Sequence, residues 1–229
     1  MLKCPLRKII FVFWLLTLCD LLVIIFNEHP LHSVIKPLLM PALALALLYF
    51  PTLIGRIFIG TGLFFSWVGD IFLLLENYNS LFFIAGLVSF LLTHLCYIIY
   101  FLSIKNGLPS LLKSAPFYCI LVIGYGIGLV WLLYDHLGVL KIPVMIYAAI
   151  ICSMLLCSIH IYLKAGAPAN CYYVAGALLF VLSDSLLAIN KFFEPIPLAG
   201  IWVMLSYCAA QFLIVSGFID KKFKSQAAV

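Results

Sequence analysis

Two aspartates stand where hydrocarbon is expected. Gly62-Leu-Phe-Phe-Ser-Trp-Val-Gly-Asp70 sets a carboxyl group inside an apolar run. Gly176-Ala-Leu-Leu-Phe-Val-Leu-Ser-Asp184 does the same, with the same step from glycine to aspartate. A carboxylate inside a long apolar helix is costly and marks a functional site by default. Two buried carboxyl groups near one another favour one protonated and one ionised member. That is the acid/base arrangement that cleaves acetal-type C–O bonds through oxocarbenium-like states. The same pair could carry protons in a proton-coupled transporter of a small or lipid-like solute, or be paired structurally in a scaffold. The residues alone leave these readings open.

The elements that position the pair follow from composition. With 66% hydrophobic and 9% charged residues, the chain is not a water-soluble globule, in which about a quarter of residues are charged. A span needs about 20 mostly apolar residues, and eight such segments are predicted at residues 8–27, 33–50, 54–75, 80–104, 115–134, 139–163, 171–190 and 198–219. Joints such as Asn27-Glu28-His29-Pro30, Pro51, Asn106-Gly107 and Gly166-Ala167-Pro168 separate them. The expected fold is all-α, an eight-helix transmembrane bundle forming a single polytopic membrane domain. The first segment follows Lys3, Arg7 and Lys8 but has no small-residue cleavage site, so it reads as a membrane helix.

Beyond each aspartate comes a second matched triplet, Ile84-Ala85-Gly86 and Leu198-Ala199-Gly200, displaced like the aspartates by 184 − 70 = 114 residues. Halves of about 1–114 and 115–229 would each hold four helices, an even number. They would then be parallel repeats related by a pseudo-two-fold axis along the membrane normal, with Asp70 and Asp184 at one depth.

The net charge of +5 does not indicate a nucleic-acid partner, because ten of the thirteen Lys and Arg residues fall on the face that holds both termini. By the positive-inside rule that face is cytoplasmic, as in a bacterial cytoplasmic membrane. The eight cysteines show no CxxC pair, so neither a metal site nor a disulfide framework is expected.

Counting helix rise places further polar groups near the aspartates. Asp20 lies towards the outer end of the first segment. Lys36-Pro37 reads as the opening of the second helix, since proline is tolerated in a first turn, which puts Lys36 at the outer interface as a candidate phosphate or carboxylate partner. Gly62, Ser66 and Asp70 share one stripe that should face other helices. Asp20, His94, Tyr97, Asn190, Tyr207 and Gln211 are second-rank candidates for orienting a substrate. Gly124, Gly126 and Gly128 read as close-packing positions, and the fifth and sixth helices show no intramembrane acid.

Lys36-Pro37-Leu38, Gly69-Asp70, the string Gly86…Phe90…His94…Tyr97, Gly176…Phe180…Ser183-Asp184 and Tyr207…Ala210-Gln211 together resemble the YhhN-like lysoplasmalogenase family. The resemblance covers roughly residues 33–217. It implies an eight-helix membrane enzyme that hydrolyses the vinyl ether of lysoplasmalogens, with a lysophospholipid substrate and no metal or organic cofactor. Under it Asp70 and Asp184 share the roles of catalytic acid and base, in either order, and Lys36 would hold the phosphate.

Overall fold

The computed structural model describes residues 4–26, 28–50, 53–105 and 107–227. Lys3, Asn27, Pro51 and Asn106, used above as flank and joint markers, lie outside the described residues, as do the side chains of Cys4, His29, Lys222 and Lys224. The described residues form ten α-helices and no strand: α1 (Cys4–Ile25), α2 (His29–Ala44), α3 (Leu53–Leu74), α4 (Ser80–Ser103), α5 (Leu111–Ser114), α6 (Phe117–Leu133), α7 (Lys141–His160), α8 (Tyr162–Ala165), α9 (Ala169–Phe192) and α10 (Ala199–Ala227). Among them eight helical segments are long and apolar enough to cross a membrane. The protein is an integral, multi-pass, all-helical membrane protein. The remaining two helices, α5 and α8, are single turns.

The first two helices start about one turn earlier than the sequence markers suggest. Pro5 and Pro30 occupy their first turns, where a missing N–H has no intrahelical partner to lose. The predicted opening of the second helix at Lys36-Pro37 is therefore corrected. Pro37 and Pro41 both lie inside α2, and Lys36 is a mid-helix residue, only 9% exposed.

Interior proline has a consequence for packing. Pro41 carries no N–H, so the carbonyl four residues earlier, that of Pro37, has no helical donor. Trp67 of α3 supplies one, its Nε1 donating to Pro37 O at 2.9 Å. The helix defect becomes the fastening between α2 and α3.

The chain forms two compact units, Met1–Tyr97 and Ile98–Val229, with the boundary inside α4. In the first unit α2 packs on α1 and α3. α3 and α4 approach closely because two glycines make room. The ring of Tyr97 lies over Gly62, where any Cβ would collide with it, and a Cβ on Gly69 would come within 2.8 Å of the Phe90 ring. Thr93 Oγ1 of α4 donates to Gly62 O at 3.0 Å across the same contact.

In the second unit α9 is the hub, packing on α6, α7, α8 and α10. Gly176 lets α10 close in, since an added Cβ would lie 3.0 Å from Ala210 O. The last turn of α4 belongs to this unit through its aromatic residues. Tyr100 and Tyr173 share a hydrogen bond of 2.7 Å between their hydroxyls, and Phe101 and Phe218 pack against the same pair. Of the three glycines on α6, only Gly126 meets a neighbour, with Cys152 Sγ 2.8 Å from where a Cβ would stand. Gly124 and Gly128 face open space, so the close-packing expectation holds at one position of three.

The Trp67–Pro37 bond makes a testable pair. Trp67→Phe leaves the part-buried Pro37 carbonyl without a donor and should lower unfolding stability in detergent by about 1 kcal/mol. The same substitution in a Pro41→Ala background should cost less, because alanine in place of proline gives Pro37 O a donor from its own helix.

Candidate functional site

In the first unit, Asp70 lies in the last turn of α3 and is 2% exposed. Ser66 and Gly62, one and two turns earlier, are buried as well, so the stripe faces helices as its small residues require. Lys36 Nζ stands 3.8 Å from Asp70 Oδ1, and both side chains are buried. One turn before Lys36 on the same stripe of α2, His32 Nδ1 meets Asp20 Oδ1 of α1 at 2.8 Å. α2 thus presents two basic side chains, one to a carboxyl group on α1 and one to a carboxyl group on α3. An apolar interior makes each such pairing necessary, because an isolated buried carboxylate is strongly unfavourable. Asp20 is 1% exposed, and its Oδ2 has no hydrogen-bond partner among the described residues.

Tyr97 and Thr93 of α4 line the α3–α4 contact. Ser66 Oγ and Thr93 Oγ1 lie 3.1 Å apart. His94 and Tyr97 follow Thr93 on α4 and are fully buried, Tyr97 against Gly62.

In the second unit, Asp184 lies two turns from the end of α9 and is partly buried. The Tyr147 hydroxyl of α7 donates to Asp184 Oδ2. At the next residue, the Tyr125 hydroxyl of α6 donates to Ser185 Oγ at 2.7 Å, and Ser185 Oγ in turn donates to Val181 O. Two neighbouring helices therefore reach α9 at adjacent residues. Between the three helices lies a cavity of about 40 Å³, bordered by Asp184, Tyr147, Tyr125 and Ser185 and otherwise mainly by aliphatic side chains.

Ser183 turns the other way and donates to Val203 O of α10 at 3.0 Å. Asn190 Oδ1 accepts from the Ile196 N–H at 2.9 Å, which shapes the turn between α9 and α10. Tyr207 is buried with its ring edge-on to Phe180 at 5.6 Å, and Gln211 is fully buried one turn further along α10. Among the described residues, no group of three or more His, Cys, Asp or Glu side chains is placed to hold a metal ion.

Sequence reasoning missed His32, Thr93, Tyr125 and Tyr147. Tyr147 carried a usable signal. It lies six residues beyond Lys141 and Asp184 lies seven before Lys191, so helix rise sets both about 9–11 Å from the flanking lysines. An apolar sixth helix hid the match, because tyrosine counts as apolar by composition. His32 is one turn from Lys36 on a helix whose start was placed too late.

The sequence matches the YhhN family over residues 31–218. It is 30% identical over 175 residues to lysoplasmalogenase TMEM86A of Bos taurus, covering 73% of this chain and 66% of the relative. The human TMEM86A lysoplasmalogenase is 32% identical over the same shares. A lysoplasmalogenase of Mycobacterium tuberculosis is 34% identical over 143 residues, 59% of this chain and 51% of the relative. The chain thus spans about two thirds of the length of the mammalian relatives and about half that of the mycobacterial one. No solved structure matches it.

The Lys36–Asp70 pair has a stability consequence. Lys36→Met removes the ammonium beside a buried carboxylate and should cost roughly 3 kcal/mol in chemical unfolding. Adding Asp70→Asn should recover a large part of that loss. A fully stable Lys36→Met variant would show that the two groups are not energetically coupled.

Proposed function

Because the chain belongs to the YhhN family, we propose that it hydrolyses the vinyl ether bond of lysoplasmalogens. The products are a fatty aldehyde and glycerophosphoethanolamine or glycerophosphocholine. The observation that carries this reading is the similarity to several proteins named lysoplasmalogenase. Asp70 and Asp184, set into membrane spans, are groups of the kind that the chemistry asks for.

A vinyl ether is cleaved by protonating its β-carbon. The resulting oxocarbenium ion is captured by water, and the hemiacetal collapses to aldehyde and alcohol. The reaction asks for a proton donor, a negative charge to stabilise the cation, and a base for the water proton. Carboxyl groups supply all three. The settings of Asp70 and Asp184 support different roles. Asp70 has an ammonium 3.8 Å away, a pairing that suits a carboxyl group that stabilises a cation and removes a proton from water. Asp184 accepts from the Tyr147 hydroxyl and borders a cavity, which gives it the access to substrate that proton delivery needs. Lys36 then acts first on Asp70, and its sequence-based assignment to phosphate becomes a second duty. His94, Tyr97, Tyr207 and Gln211 remain candidates for shaping the substrate's surroundings, as does Asp20 with His32.

The matching use of Gly62 and Gly176, each admitting the following long helix, supports the parallel-repeat reading. The bias of basic residues towards the face of the termini supports a cytoplasmic location for both.

Purified protein should release aldehyde from lysoplasmenylethanolamine in detergent without any gradient. Asp70→Asn and Asp184→Asn should each lower turnover by roughly a hundredfold or more, the usual worth of a positioned acid or base. Folded variants that both keep near wild-type turnover would exclude the carboxyl mechanism.

A further inference from the structure

The cavity between α6, α7 and α9 is mostly apolar, with its few polar groups gathered in one place. Its polar groups sit together, at Asp184 and Ser185 on α9 and the tyrosine hydroxyls that reach them. The rest of its wall is largely aliphatic, with Leu129, Val144, Ile151 and Val181 among the side chains. Small-molecule sites share this make-up, an apolar body with a few convergent polar groups that fix orientation. A free phosphate or a headgroup alone would leave the aliphatic wall unused, and no lysine or arginine borders the cavity. A simple alkane would leave the carboxyl pole unused. A hydrocarbon with one small polar group at its end matches both parts, and the proposed hydrolysis supplies an ether as that group.

We infer that this cavity receives the ether-linked end of a single-chain lipid, with the first few carbons against the aliphatic wall and the ether oxygen and its neighbouring carbons at Asp184. The inference rests on the proposed hydrolysis for the identity of the lipid, but the site is defined by its own geometry. Its size fits this limited role. At about 40 Å³ it holds the reacting end of a chain and not a whole tail, since a single water already takes 10–15 Å³ by the same measure. Tyr125, about half-exposed at the cavity edge, marks where the chain would leave.

A saturated 1-O-alkyl lysophosphoethanolamine, which has no vinyl ether to cleave, can carry a photoreactive diazirine on the third carbon from the ether. Cross-linking it to the full-length protein in detergent and mapping the adducts tests the site without requiring turnover. Adducts should fall on α6, α7 and α9 around the cavity. Ala148 lines it and is only partly buried, so Ala148→Leu should be tolerated and should fill it. Cavity labelling should then fall roughly tenfold, the worth of about two buried methylenes, with an unchanged unfolding temperature. An unfolding temperature that does change calls for Val181→Leu as the filling variant, read the same way. Labelling confined to other surfaces, or unaltered in the folded filling variant, would overturn the inference. Aldehyde release from wild type without cavity labelling would reject this site and leave the hydrolase reading standing. Cavity labelling without aldehyde release would do the reverse.

Discussion

A carboxyl group in a hydrocarbon interior must be met by a partner, and much of this structure follows from that requirement. Asp20, Asp70 and Asp184 lie well inside membrane spans, and neighbouring helices answer each of them. Asp20 on α1 is met by His32, Asp70 on α3 by Lys36 and Asp184 on α9 by Tyr147. In each unit the partner comes from the second long helix, α2 in one and α7 in the other. Losing the partner would leave a charge or an acceptor in a medium that cannot solvate it. The pairings therefore constrain how α2 and α7 are rotated about their axes, as well as the chemistry of the aspartates.

Close helix contact is the second constraint, and glycine meets it. Gly62, Gly69 and Gly176 stand where any side chain would run into a ring or a backbone carbonyl. Where association lacks a hydrophobic drive, van der Waals packing and a few interhelical hydrogen bonds carry it. Thr93 to Gly62, Ser183 to Val203 and Trp67 to Pro37 are bonds of this kind. The last of them exists because Pro41 withholds an N–H from its own helix.

The eight spans were legible in composition and length alone, because hydrocarbon thickness dictates both. The burial of the Gly62–Ser66–Asp70 stripe was also legible, since small residues at helical spacing admit a neighbour. The start of α2 was not. Three prolines compete for the first turn, and spacing does not say that Pro30 takes it while Pro37 and Pro41 stay inside. Lys36 was found by type but misplaced by that error, and His32 was lost with it. Tyr147 was hidden because its ring is apolar and only its hydroxyl does the work. The pairing of an acid with tyrosine leaves no charge pattern in a sequence.

The two aspartates share a motif and differ in setting. Asp70 is buried against an ammonium, whereas Asp184 borders a cavity beside a hydroxyl. Two nearly identical sequence stretches thus have unlike surroundings. The central proposal is that the vinyl ether is cleaved by proton delivery to its β-carbon. The most direct measurement is hydrolysis in D2O, with mass analysis of the aldehyde at early times. The expected product carries one deuterium on the carbon next to the carbonyl. An aldehyde without that deuterium would contradict proton delivery to the vinyl ether, and no aldehyde at all would contradict the hydrolase reading itself.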